Sequence, residues 1–130
     1  MVRNNNDYSN NTPMIHELAE KMRANSMIDS ELYSKYNVKR GLRDLDGKGV
    51  LTGLTDISTI IQNKEVDGKL VPCDGELYYR GYNVNDIIDG IAGDDRFGFE
   101  EVVYLLLFGD MPNVQQLKDF KELLVKYRTL

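Results

Sequence analysis

A mainly α fold with a small antiparallel β-sheet is the architecture this sequence predicts. Apolar residues recur at helical spacing near both ends of the 130-residue chain. Between them lies a stretch rich in β-branched residues, punctuated by Asp-Gly pairs. The 42% hydrophobic and 28% charged content fits a soluble globular protein with a modest core.

The elements follow in order. Residues 1–12 are Asn-rich, with few apolar groups, and are expected to be disordered. Thr12-Pro13 reads as an N-cap followed by Pro at the first helical position. Ile15, Leu18, Ala19 and Met22 form the stripe of that helix. A second short helix is expected from Asp29, with Leu32, Tyr33 and Tyr36 on one side. These short helices fill residues 13–40.

A Gly-rich segment and the sheet occupy residues 41–82. Helical periodicity is lost from Gly41 to Gly53. Val50, Thr52, Thr55, Ile57, Thr59, Ile60 and Ile61 favour extended backbone. Asp67-Gly68 and Asp74-Gly75 are turn signals. The strands expected around them are Ile57 to Ile61, Lys69 to Val71 and Leu77 to Arg80. Pro72 cannot donate to a β-ladder, so its strand is expected to be short or at an edge.

Residues 83–130 read as helical again, part of a larger helical domain. Val84, Ile87, Ile88 and Ile91 share a face, with Asn83 or Asn85 placed to cap the start. Gly93-Asp94-Asp95 ends that helix. Phe99 to Phe108 is apolar around most of its circumference. Gly109 then stands where a left-handed C-terminal residue is expected, with Pro112 beyond it. Asn113 and Gln116 form a capping pair for a last helix with Leu117, Phe120, Leu124 and Tyr127 in one stripe.

Composition also excludes. A net charge of −5 and a pI near 4.9 argue against general nucleic-acid or anionic-membrane binding. No apolar run is long enough to cross a membrane, and no secretory signal is visible, so a cytoplasmic location is expected. Cys73 is the single cysteine, so no internal disulfide forms, and a reduced thiol is expected.

Several near-motifs fail on chemistry. Gly47-Lys48 has the ending of a phosphate-binding loop, but Leu42 stands where the first glycine belongs and Gly49 replaces the magnesium-holding hydroxyl. Asp44-Leu45-Asp46-Gly47 has part of a calcium loop, but Leu42 and Gly53 occupy its first and last ligand positions. Asp94-Asp95 reads as a solvated turn, and Leu105 to Phe108 as core. His16 has no orienting partner in sequence and reads as a surface or interface residue. Tyr78, Tyr79 and Tyr82 around Arg80 could stack on a ligand, but packing of the rings is the expected use. No metal site is expected.

Three segments, in order, resemble the citrate synthase and 2-methylcitrate synthase family. They are Gly49-Val50-Leu51-Thr52-Gly53-Leu54-Thr55, Leu77-Tyr78-Tyr79-Arg80-Gly81-Tyr82, and Phe99-Glu100-Glu101-Val102 through Pro112. In the last, Asp110-Met111 replaces the usual Glu-Leu, and Asn63 to Asp74 is a longer hairpin connection than many members have. The similarity runs from about Met27 to Tyr127 and points to the amino-terminal part of these enzymes.

The resemblance implies an acyltransferase that condenses acetyl-CoA, or propionyl-CoA, with oxaloacetate and hydrolyses the thioester. That chemistry uses two His and an Asp. His16 is the single histidine here and lies in neither family motif. No catalytic residue is therefore carried over, and this segment alone is expected to be inactive. Arg43, with Lys48 second, is the candidate for contact with a coenzyme A phosphate. No cofactor is implied. A homodimer is implied for the whole enzyme, and self-association through the apolar Phe99 to Phe108 helix is expected of the isolated piece. The last helix runs to about Leu130 without a stop signal, as a truncated segment would. The alternative is a stand-alone interaction or self-association module built on the same scaffold.

Overall fold

The computed structural model describes residues 11–39, 41, 43 and 50–128. Among them are five helices and a three-stranded antiparallel sheet, the mainly α arrangement expected. The expected disorder of residues 1–10 and the helix run-out at 129–130 lie outside the described residues. Two compact units emerge, Met1–Asn25 with Ile87–Leu130, and Ser26–Asp86.

The first unit is helical. Helix α1 spans Pro13–Ala24, and the Ile15 amide donates to the Thr12 hydroxyl at 3.3 Å, so the cap read from Thr12-Pro13 forms. Helix α3 spans Val84–Gly93, of which residues from Ile87 onward belong to this unit. Helices α4, Phe99–Phe108, and α5, Val114–Tyr127, complete it.

Helix α4 supplies much of the core, with Tyr104, Leu105 and Phe108 buried, while Phe99 and Leu107 on the same helix stay exposed. Phe120 of α5 closes a cluster with Tyr104 and Phe108, and Leu18, Val103 and Leu124 pack around it. The three rings meet edge to face, with centroids 4.6, 5.4 and 5.8 Å apart, the geometry favoured by the aromatic quadrupole. One side of the apolar helix is thus removed from water by α1 and α5, and Phe99 and Leu107 are not.

The ends of these helices are fixed by specific groups. Asn113 and Gln116 form the reciprocal capping box, each side chain accepting the other's amide at 2.9 Å. Gly109 ends α4 at φ +86°, and its amide donates to the Leu105 carbonyl at 2.9 Å. The Asn25 side-chain amide donates to the Lys21 carbonyl at 3.0 Å and the Phe108 carbonyl at 2.9 Å. It thereby ties the last turn of α1 to the last turn of α4. At the other end of α4, a side chain at Gly98 would run into Ile91, whose Cδ1 lies 2.0 Å from the position of an added Cβ.

The second unit holds helix α2, Glu31–Lys35, and the sheet. The Asp29 carboxylate accepts from the Glu31 amide at 2.9 Å, which starts α2 two residues later than Asp29 itself. Strand β1 is Ser58–Val66, β2 is Lys69–Tyr79 and β3 is Tyr82–Asn83, in the order β1-β2-β3. Both connections are two-residue turns. Asp67 and Gly68 have φ of +50° and +74°, and Arg80 and Gly81 have +49° and +87°. Paired positive φ values match the natural twist of a hairpin, which is why Asp-Gly works at the first turn.

Several strand expectations change. Lys69 to Val71 and Leu77 to Arg80 are parts of one long strand, and Arg80 is a turn residue instead of a strand end. Asp74-Gly75 does not reverse the chain. Asn63 pairs with Pro72 and Ile61 with Glu76, so Gln62 alone faces Cys73, Asp74 and Gly75. The turn-forming residues are absorbed in a bulge. Pro72 therefore lies inside the central strand, not in a short one. It is tolerated because β3 pairs only with Tyr78 and Tyr79, leaving β2 without a second neighbour strand at Pro72. Residues 50–57 carry β-branched side chains but form no strand; β1 begins at Ser58.

Candidate functional site

Arg43, the candidate for a phosphate contact, is exposed in an isolated β-bridge. Its neighbours Leu42 and residues 44–49, including Lys48, lie outside the described residues. The failed phosphate-loop and calcium-loop readings fall mainly on the same stretch. His16 is exposed on α1, and its amide donates to the Thr12 carbonyl at 3.1 Å, an ordinary first-turn bond. Cys73 is a half-buried free thiol in the β2 bulge. Among the described residues no cluster of His, Cys, Asp and Glu has metal-binding proximity. Asp94 pairs with Arg96 at 2.9 Å, and Asp95 takes φ +51°, so the acidic pair is a solvated turn as expected.

The hairpin does gather polar groups that sequence reading passed over. Strand alternation places Glu76 and Tyr78 on one face of β2. Lys64 of β1 reaches across the bulge, with its ammonium 2.5 Å from Glu76 Oε1. The Tyr78 hydroxyl donates to Glu76 Oε2 at 2.7 Å. Each carboxylate oxygen is thus occupied. The Lys64 and Tyr78 hydrogen bonds hold the Glu76 carboxyl below its usual range. The bond to Glu76 pushes Lys64 up, and the same carboxylate pushes the Tyr78 phenol up. A carboxylate held as an anion by two donors is a poor proton acceptor, so this arrangement locks the hairpin and does not suit general-base chemistry.

Arg80 forms the other clasp. Its side chain is only 7% exposed, and Nη1 lies 2.9 Å from Asp56 Oδ1, on the segment leading into β1. The Arg80 amide donates to the Ile57 carbonyl at 2.8 Å. One residue thus anchors the β2–β3 turn to the start of the hairpin through backbone and side chain together. Tyr78 and Tyr79 are half-buried, while Tyr82 is 41% exposed. The signals in the sequence were the Glu-x-Tyr spacing, which keeps two polar tips on one strand face, and an Arg-Gly pair between aromatic residues.

A further ionic contact lies in the helical unit. Arg96 pairs with Glu101, which is buried, and donates from Nη2 to the Gly90 carbonyl at 3.4 Å. The Glu101 hydrogen bond pushes the Arg96 guanidinium up. Arg96 thereby ties the end of α3 to the first turn of α4, a structural duty.

A hairpin with an Arg-Gly turn, followed by helix α3 and an apolar helix closed by a Gly-Asp-Met-Pro turn, is the arrangement in which the three family-like segments stand. The chain belongs to the citrate synthase family: the family model described as citrate synthase, C-terminal domain, matches residues 41–130. That description names a C-terminal domain, whereas the motifs resemble the amino-terminal part of the enzymes; the family is common to both. The chain is 35% identical over 97 residues to 2-methylcitrate synthase 1 of Corynebacterium glutamicum, covering 75% of this chain and 20% of that protein. It is 36% identical over 89 residues to citrate synthase of Thermoplasma acidophilum, covering 68% of this chain and 18% of that protein. The 2-methylcitrate synthase 2 of C. glutamicum is 38% identical over 71 residues, 55% of this chain and 17% of that protein. The chain spans about a fifth of the length of these curated relatives. No solved structure matches it. Among the described residues, no helix is long and apolar enough to cross a membrane.

Proposed function

We propose that this chain is a structural segment of a citrate-synthase-type acyltransferase, which condenses acetyl-CoA with oxaloacetate to give citrate. The observation that carries the reading is the family match over residues 41–130, joined to a sequence with one imidazole, the exposed His16. The condensation needs a carboxylate to take a proton from the carbon beside the thioester. It also needs donors to hold the enolate oxygen and to polarise the oxaloacetate carbonyl. Glu76 is spent on Lys64 and Tyr78, and Glu101 on Arg96. The segment by itself is inactive and contributes scaffold, with Arg43 as the candidate contact for a coenzyme A phosphate. The homodimer and the cytoplasmic setting belong to the same reading. Relatives named for both citrate and 2-methylcitrate synthesis leave propionyl-CoA as the other acyl donor.

Thiol release from acetyl-CoA in the presence of oxaloacetate, measured on the purified 130-residue chain, tests it. No release above background is the expected result. Turnover that follows the chain's concentration overturns the scaffold reading. For Arg43, titration with coenzyme A by calorimetry is expected to show weaker binding after Arg43→Ala than for the parent chain, and equal binding overturns that assignment.

A further inference from the structure

The Asp74-Gly75 pair, a turn signal in the sequence, is held instead in the β2 bulge. Asp-Gly is chemically labile: glycine has no side chain to shield its amide nitrogen, and the aspartate Cγ is within reach of ring closure. Whether the ring closes depends on the main chain, and the Asp-Gly steps among the described residues stand in different settings. Asp67-Gly68 is the hairpin turn, with φ of +50° and +74°. The left-handed region carries ψ of about +47°, which turns the Gly68 nitrogen trans to the Asp67 Cβ and away from Cγ. Asp89-Gly90 lies inside α3, where the Gly90 amide is spent on the helical ladder and the torsions are fixed. Asp74-Gly75 has neither restraint. The pairing jumps from Ile61 with Glu76 to Asn63 with Pro72, so Cys73, Asp74 and Gly75 lie outside the regular ladder. Asp74 and Gly75 are both exposed, and a Cβ added to Gly75 would meet nothing within 4 Å, so no neighbour obstructs the ring and water reaches it.

We infer that Asp74-Gly75 is a modification site at which the main chain rearranges to isoaspartate. The Gly75 amide nitrogen attacks Asp74 Cγ, and its proton and the carboxyl hydroxyl leave together as water. The product is a cyclic succinimide whose nitrogen is bonded to both aspartate carbonyl carbons. Water then adds to one of these carbons. Addition at Cγ breaks the Cγ–N bond and restores aspartate. Addition at the main-chain carbonyl breaks the original peptide bond, leaves the chain running through Cγ and frees an α-carboxylate. One water leaves and one returns, so the mass is unchanged and no oxidant, reductant or enzyme takes part. The rearranged main chain is one atom longer just before Glu76, whose carboxylate holds Lys64 and Tyr78. The site stands apart from the acyltransferase reading.

Peptide mapping by electron-transfer mass spectrometry tests the inference, on the 130-residue chain held for weeks in warm neutral buffer. In the folded chain isoaspartate is expected to form at residue 74 about tenfold faster than at residues 67 and 89, because only the latter two must first leave a fixed conformation. In concentrated urea those restraints vanish, and the three rates are expected to converge. G75A is expected to slow the reaction at residue 74 about tenfold, because its methyl group crowds the attacking nitrogen. The open space around Gly75 lets that variant keep its fold, which far-UV circular dichroism checks. Absence of isoaspartate at residue 74 overturns the inference. So does a folded chain in which residue 67 or 89 reacts as fast, a folded ranking that persists unchanged in urea, or a folded G75A chain that reacts at the parent's rate.

Discussion

The helical unit and the hairpin unit are held together by different forces. The helical unit owns every residue buried as a whole among those described: Ile87, Glu101, Tyr104, Leu105, Phe108 and Phe120. The hairpin unit has no buried apolar residue among those described, and its most covered side chain is the charged Arg80, 7% exposed. Its order comes from ladder hydrogen bonds, two left-handed turns and the Lys64–Glu76–Tyr78 and Arg80–Asp56 clasps. Burial is non-directional and grows with apolar area, whereas exposed ion pairs gain little against water. The difference teaches that one family segment can join a unit able to sustain its own core to one that relies on geometry and polar contacts.

The sharpest way to break that contrast is to hollow out the core. Phe108→Ala and Phe120→Ala are each expected to cost about 3–5 kcal/mol, by lost transfer energy plus a residual cavity. Urea titration followed by amide resonances should show the helices melting early while the 58–83 ladder signals persist. If all resonances are lost together, the two units are one cooperative body and the contrast fails. A smaller effect is expected at the ionic tie between α3 and α4. Glu101→Ala leaves Arg96 without its buried partner, and should lower the urea midpoint more than Glu100→Ala, whose partner Arg128 sits at 3.3 Å in a more exposed pair.

Asn113→Ala removes one half of the capping box and is expected to cost about 1 kcal/mol, read as fraying at the start of α5 by hydrogen exchange. The smallest effect concerns the hairpin and pH. The Glu76 carboxyl is held below its ordinary value near 4.5, so its contribution is present above that value and lost as pH falls through the lowered one. Lys64 is pushed above its ordinary 10.5, so its contribution holds at neutral pH and fades only as the solution becomes strongly alkaline. Hydrogen-exchange protection at the Lys64 and Glu76 amides, taken relative to the intrinsic rate at each pH, should therefore fall in acid well before that of the α4 amides. A Glu76→Gln variant that keeps the same acid response would assign it to other groups.

Much of the helical unit was legible. Thr12-Pro13, Asn113 with Gln116, and Gly109 carry local signals whose reach is three or four residues, and each acts as the spacing predicts. The Asn25 bond to the Phe108 carbonyl was not legible, because it joins residues 83 positions apart. Asp74-Gly75 misled for a related reason. An Asp-Gly pair suits a tight turn and a bulge alike, and only the pairing partner, Gln62 opposite three residues, decides between them. The apolar helix Phe99–Phe108 was recognised, but whether its surface is bare or covered depends on α1 and α5, which local pattern does not reveal. Of the candidate site, Arg43 was singled out by resemblance and is exposed, while Lys48 lies outside the described residues. The Glu76 and Arg80 clasps needed the hairpin register before they could be seen.

Arg80 carries a consequence for substitution. Its φ of +49° is comfortable for Asn or Gly and costs a long side chain about 1 kcal/mol or more. Asn at this position would relax the main chain yet surrender the reach to Asp56, and Lys would keep a charge but forfeit the planar fork. The position is caught between what its peptide bond would choose and what its guanidinium accomplishes, so a stabilising exchange at the turn would come with a loosened root for the whole hairpin.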